Sequence, residues 1–261
     1  MRLAKDDFDD LRYAKTLLEN PNLTARISNL LGTPIEKGFE RLPPKLKGVV
    51  QKATEKSLEK ALNFAIQTMN DRTRPAASDK THKLLVFATG AGGGSFGLPA
   101  LTIELPVTTT IMLRSIADIA RSEGEQISLL ETKIACLEVF ALGGPSKSDD
   151  GTETGYFAVR AGLAHVISEA TKYITEKGLA REGAPALVKL IATLASRFGI
   201  IVSEKVAAQA IPLIGAAGGA LINTIFIDHF QNMARGHFII RRLERLYDKD
   251  LIRQEYDNLD I

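Results

Sequence analysis

Residues 90–106 read Gly90-Ala91-Gly92-Gly93-Gly94-Ser95-Phe96-Gly97-Leu98-Pro99-Ala100-Leu101-Thr102-Ile103-Glu104-Leu105-Pro106, and the meaning of this stretch decides the fold class. Glycines at this density permit positive φ, let backbones approach closely and expose N–H groups to an anion. A phosphate loop of the Walker type requires Lys-Ser/Thr after its last glycine; Leu98-Pro99 stands there instead. A dinucleotide fingerprint requires a βαβ unit around it, and none is readable. Gly93-Gly94-Ser95-Phe96-Gly97 does satisfy G-x-S-x-G, the nucleophile elbow of serine hydrolases. His165, His229 and His237 follow in the chain order of that class, and Leu84–Ala88 is the one short apolar run available as its strand. The elbow needs a parallel sheet, and no other stretch alternates as a strand. The glycines are therefore read as a packing or reversal element. A serine hydrolase or peptidase using Ser95 is the alternative.

Outward from this segment the reading is helix after helix. Pro106 fits the first turn of a helix running to about Arg121, where its missing N–H would be unpaired anyway. Gly124 follows as a left-handed cap. On this helix Val107, Ile111 and Ala117 are expected to face inward, with Arg114, Asp118 and Arg121 on a polar face. Ser128 and Glu131 have the spacing of a capping box, and the helix they open stops at Gly143-Gly144-Pro145.

Before the glycines, residues 49–69 place Leu58, Ala61, Leu62, Ala65, Ile66 and Met69 on one face and Lys52, Lys56 and Lys60 on another. That lysine stripe reads as a solvated face, with a membrane-surface contact as the second reading. After the loop at 143–154, a helix over 156–177 closes at Gly178. Pro185 opens another that reaches about Ala210, and a long helix from Pro212 or Leu213 reaches Tyr247. The predicted class is all-α: a multi-helix bundle with a glycine-rich, strongly apolar central hairpin and a long C-terminal helix. One domain is expected over 1–261. It comprises polar N-terminal helices (1–80), the glycine-rich core block (84–142), the loop (143–154) and the C-terminal helices (155–261).

Charge is unevenly spread. Glu104 is the only charged residue in 84–113. A carboxylate buried among apolar residues requires a partner or a proton. The expected partner is an N–H at a helix start or an arginine from elsewhere, and the other reading is a site acid. Residues 206–227 carry no charge at all. That window is long enough to cross a bilayer, and Gly215 and Gly219 form a GxxxG that lets helices approach closely. Gln209, Pro212 and Asn223 interrupt it, and the seam Leu221, Ile225, Met233, Ile240 and Leu243 continues beyond it as an ordinary amphipathic face. The preferred reading is a buried hairpin-like core, with reversible insertion as the second. Arg241 and Arg242, in the basic stretch after Met233, would suit anionic headgroups.

Several function classes are disfavoured by composition. A net charge of +2, 6% aromatics and no Trp give no reason to expect nucleic acid. The single Cys136 excludes a disulfide framework and a multi-cysteine metal site, and reads as a small buried thiol. His82, His165, His229 and His237 form neither HExxH nor any i, i+4 pair, so no metal and no cofactor is expected. Met1-Arg2-Leu3-Ala4-Lys5-Asp6-Asp7 turns acidic at once without a secretory apolar region, which predicts a cytoplasmic location.

One family resemblance covers most of the chain. It is carried by Gly93-Gly94, Gly97-Leu98-Pro99-Ala100-Leu101, Glu104 to Thr110, Arg114 to Ala120 and Leu137 to Gly143, in that order. A second block is Ile211-Pro212-Leu213-Ile214-Gly215 with Gly218-Gly219, Asn223, Ala234 and Arg241-Arg242-Leu243. In these segments the chain resembles the bacterial EcsC protein family. The resemblance implies a helical protein, named from its place beside an ABC transporter, and brings no established catalytic residues, although some members have carried a protease or hydrolase label. The leading expectation is a non-enzymatic, membrane-associated protein that binds lipid or a membrane-protein complex, peripheral at the inner membrane. Its candidate ligand- or lipid-contacting residues are Gly93, Gly94, Ser95, Glu104 and Arg114. Its candidate membrane- or partner-contacting residues are Gly215, Gly219, Asn223, Arg241 and Arg242.

Overall fold

The computed structural model describes residues 3–19, 23, 26–28, 44–69, 98–144, 155–178, 184–209 and 215–260. Among these residues every regular element is helical: α1 (Lys5–Glu19), α2 (Pro44–Thr68), α3 (Leu98–Ser122), α4 (Leu130–Glu138), a 3-10 turn (Val139–Ala141), α5 (Tyr156–Lys177), α6 (Pro185–Gln209), α7 (Gly215–Leu246) and α8 (Lys249–Asn258). The all-α class and the long C-terminal helix are thus as predicted. The segment 90–97, the proposed strand Leu84–Ala88, His82, residues 145–154 of the loop, and Pro212 with Leu213 lie outside the described residues.

The core forms where apolar faces meet. On α2, Leu58, Ala61, Leu62 and Ala65 are buried, while Lys52, Lys56 and Lys60 point to solvent, as the i, i+4 spacing requires. Phe140, Phe198, Phe226 and Phe230 stack with ring centroids 5.0–5.3 Å apart along the chain of contacts Phe198–Phe140–Phe230–Phe226. Tilted and edge-on pairs of this kind add about 0.5–1.5 kcal/mol each beyond the area they bury. The same rings report helix direction. Phe198 lies 5.4 Å from Phe230, and Lys205, further along α6, sits 5.1 Å from Phe226, earlier on α7. Consequently α6 and α7 are antiparallel, an apolar hairpin in which Val206, Ala207, Ala208, Ala220, Ile222, Phe226 and Ile227 are buried.

Where helices cross closely, glycine makes room. A Cβ on Gly236 of α7 would come within 2.7 Å of Leu18 Cγ and 3.1 Å of the Ala14 carbonyl oxygen on α1. Gly143, at φ +71°, lets the chain pass over α7, where a Cβ would meet Met233 Sδ at 2.6 Å and His229 Nε2 at 2.8 Å. Gly124 and Gly178 also carry positive φ just past the ends of α3 and α5, as expected.

Four expectations are corrected. The helix containing Pro106 begins eight residues earlier, at Leu98, so Pro106 is interior and Pro99 is the proline in the first turn. Leu105, Met112, Leu113 and Ile116, all buried on either side of Pro106, offset the one backbone hydrogen bond that the proline cannot donate. Val107, expected inside, is half exposed, since the inward face of the longer helix is set by Leu105, Met112 and Ile116. The cap of α4 is Leu129, which makes no side-chain cap bond, rather than Ser128, and Glu131 turns outward to Arg241 at 3.4 Å. Leu221, expected in the α7 seam, is 44% exposed because it stands near the end of the bundle.

Candidate functional site

Among the described residues Glu104 and Lys205 form the most heavily buried ion pair. Pro106 does not start the helix, so Glu104 lies in the second turn of α3 rather than at a cap, and the favourable helix-start charge expected for it does not apply. Its carboxylate instead accepts from Lys205 Nζ at 2.8 Å and from Asn223 Nδ2 at 3.1 Å, joining α3 to both arms of the α6–α7 hairpin. Lys205 is wholly buried, and its ammonium faces the Phe226 ring. Burial pushes the Lys205 pKa down, and the Glu104 charge works against that shift. Thr108 and Thr109, one turn further along α3, are buried with hydroxyls that find no partner. A polar seam of this kind, inside an interface of apolar helices, specifies how three helices dock.

The surroundings of this seam are informative. α3 and α7 begin here, and α6 ends here. α2 begins at the same end: Gly199 of α6 faces Gln51 and Thr54, while Arg114 of α3 lies 4.8 Å over Phe64 further along α2. Four large apolar side chains are exposed at this end: Val49 on α2, Ile103 and Val107 one turn apart on α3, and Leu221 on α7. Ile103 is 73% exposed. Lys47, Lys52 and Lys56 stand exposed beside Val49 on α2. The helix Pro185–Ala208, which ends here, is long and apolar enough to cross a membrane, and half of it is buried against its neighbours. Among the described residues that helix has the length and hydropathy of a span, and residues 210–214 of the window 206–227 lie outside the described residues.

The remaining predicted residues fall elsewhere. Gly93, Gly94 and Ser95 lie outside the described residues, and Gly215 and Gly219 form the first turns of α7. Arg114 is exposed and stacks on Phe64. Arg241 donates to Glu125 at 2.8 Å and pairs with Glu131, and Arg245 also pairs with Glu125. Burial would raise the pKa of Glu125, but the hydrogen bond and charge of Arg241 hold it below the usual carboxylate range. Arg242 pairs with Asp10 and Glu123. These arginines join α7 to α1, α4 and the turn after α3, some 20 residues along α7 from Asn223, or about 30 Å.

Cys136 is buried, which pushes its thiol pKa well up. His165 is exposed beside Glu169. His229 and His237 are buried and neutral; burial lowers both, His229 to about 4, and Tyr156 Oη lies 2.8 Å from His237 Nδ1. Among the described residues no group of three His, Cys, Asp or Glu side chains is placed to hold a metal ion.

Sequence reasoning singled out Glu104 and Asn223 but missed Lys205, which stops one position short of the charge-free window 206–227. A basic residue at the edge of an apolar run, with one acid in another apolar run, was the available signal.

A profile of the EcsC protein family matches residues 11–243, which include every helix from α2 to α6, so the chain belongs to that family. No curated protein matches the chain. No solved structure matches it either.

Proposed function

We propose that this EcsC-family chain is a non-enzymatic protein of the cytoplasmic membrane surface, which applies the Glu104 end of its bundle to anionic lipid. The observation that carries the reading is the grouping of Val49, Ile103, Val107 and Leu221, all exposed, at the end where Lys47, Lys52 and Lys56 are also exposed. Apolar side chains that enter the boundary of headgroups and acyl chains, backed by lysines at headgroup level, are what a peripheral contact requires. In this reading the basic component comes from α2. Arg241 and Arg242, suggested by the sequence, are paired with acids near the opposite end. The Glu104–Lys205–Asn223 seam keeps the starts of α3 and α7 and the end of α6 in register, so that the apolar side chains are presented together.

Flotation with vesicles tests the proposal. The protein should rise with phosphatidylglycerol-containing liposomes at low salt, and recovery should fall in 0.5 M salt or with neutral liposomes, because the lysine contribution is screened. Absence from the floating fraction at low salt overturns the reading.

A further inference from the structure

A groove of about 770 Å³ opens between α5 and the end of α7, with α4 and the start of α8 completing it. Its floor holds Glu138, Arg160 and Glu244. Arg160 is fully engaged: it donates to both carboxylate oxygens of Glu244, at 2.7 and 3.1 Å, and lies over the rings of Tyr156 and Phe157. The nearby Arg241 is answered by Glu125 and Glu131. Glu138 is left over. Only 7% exposed, it lines the groove, and no donor among the described residues reaches its carboxyl.

The Glu138 side chain is largely buried but its carboxyl opens onto the groove, so a donor can reach it from there. Of the basic residues lining the groove, Arg160 is spent on Glu244, while Lys172, Lys249 and Arg253 are exposed at the rim and make no bond to the Glu138 carboxyl on the floor. A cation would meet Glu138. One wall, formed by Phe157, Ala161, Ala164 and Ile167, is apolar and runs along α5 toward the mouth.

We infer that this groove is a binding site for a small organic ammonium, whose N–H groups donate to the Glu138 carboxylate while its alkyl chain lies along Phe157, Ala161 and Ala164. The site is distinct from the lipid-facing end and does not depend on it. Its proton balance is simple: the ligand enters charged, and Glu138 must be ionised to receive it. Burial pushes the Glu138 pKa up to about 7, opposed by Arg160 and Arg241 and reinforced by Glu244, so binding is coupled to pH through this group. The charged groups nearest it are Arg160 on α5 and Arg241 and Glu244 on α7; around the rim stand Glu131 on its own helix, Lys172 and Glu176 on α5, and Lys249, Asp250 and Arg253 on α8.

The probe is n-hexylammonium, titrated at pH 8 while the backbone amide resonances of residues 156–168 are followed by NMR, with n-hexanol as the uncharged control. The ammonium should bind at least tenfold more tightly than the alcohol. Glu138→Gln should abolish that preference, and in the unmodified protein the preference should fall at least tenfold between pH 8 and pH 5.5. Ala164→Leu, which narrows the apolar wall without touching Glu138, should weaken both compounds. Equal affinity for ammonium and alcohol at pH 8, an unchanged preference at pH 5.5, or no saturable shift in this helix each overturns the inference.

Discussion

Glu104 and Lys205, 101 residues apart in the chain, meet at 2.8 Å in the interior, and Asn223 completes the contact from the facing helix. Removing one member of a buried pair leaves the other charge without compensation, which costs about 3–5 kcal/mol, whereas removing both can be neutral. Glu104→Gln is therefore expected to destabilise the protein by about 3–5 kcal/mol in urea unfolding. The double change Glu104→Gln with Lys205→Met should recover most of that loss. A double variant as unstable as the single one would show that the pair does not interact as described.

The close crossings make a second prediction. Gly143→Ala places a Cβ in a left-handed conformation and against Met233 and His229. Backbone strain of about 1–2 kcal/mol and overpacking of about 1–3 kcal/mol should add. Gly236→Ala meets Leu18 and the Ala14 carbonyl without the backbone term, so it should cost only the overpacking part. Thermal melting should rank the wild type above Gly236→Ala, and that above Gly143→Ala.

Glu138 and His229 predict opposite pH dependences. The Glu138 carboxyl, raised from 4.5 to about 7, favours folding while protonated; that contribution is full below pH 4.5 and lost as pH rises through 7. His229, lowered from 6.5 to about 4, favours folding while neutral; its contribution is full above pH 6.5 and lost as pH falls through 4. Each is worth about 3 kcal/mol, so between pH 4.5 and 6.5 they offset one another. Glu138→Gln should raise stability by about 3 kcal/mol at pH 8, leave it nearly unchanged at pH 4.5, and expose a steeper acid fall carried by His229 and His237. Chemical unfolding across this pH range measures it.

The lipid-facing end yields the fourth prediction. Ile103→Glu with Val107→Glu alters two exposed positions, so the melting temperature should hold within a few degrees, surface changes being worth about 0.5 kcal/mol or less. Recovery with anionic vesicles should nevertheless drop severalfold, because two acids replace the apolar side chains at the headgroup boundary. Lys52→Glu with Lys56→Glu should lower recovery chiefly at low salt. Undiminished flotation of the Ile103/Val107 double variant would remove this end from the membrane contact.

Local physics made much of the fold legible in the chain. The α5 boundaries at Tyr156 and Lys177, the start of α6 at Pro185 and the caps at Gly124 and Gly178 depend on signals within a few residues: a proline's fixed φ, a glycine's access to positive φ, and the 3.6-residue period of apolar positions. The same period separated the buried face of α2 from its lysines. The sequence also established that Glu104 needs a partner, since a lone acid in an apolar run admits few alternatives.

Tertiary structure alone decided who that partner is. Nothing local to Lys205 or Asn223 points to Glu104; they meet because α6 and α7 run antiparallel and α3 packs across them, a matter of apolar faces distributed over more than a hundred residues. Packing likewise carried α3 through Pro106, because burial of Leu105 before it and of Met112, Leu113 and Ile116 after it outweighs one missing backbone hydrogen bond. Whether an acid is matched or left over is also a tertiary property. Glu138 looks like any acid beside a helix end until Arg160 is seen to be taken by Glu244, and Arg241 by Glu125 and Glu131. Burial and charge pairing depend on neighbours distant in the chain, and a single sequence read along its length does not name them.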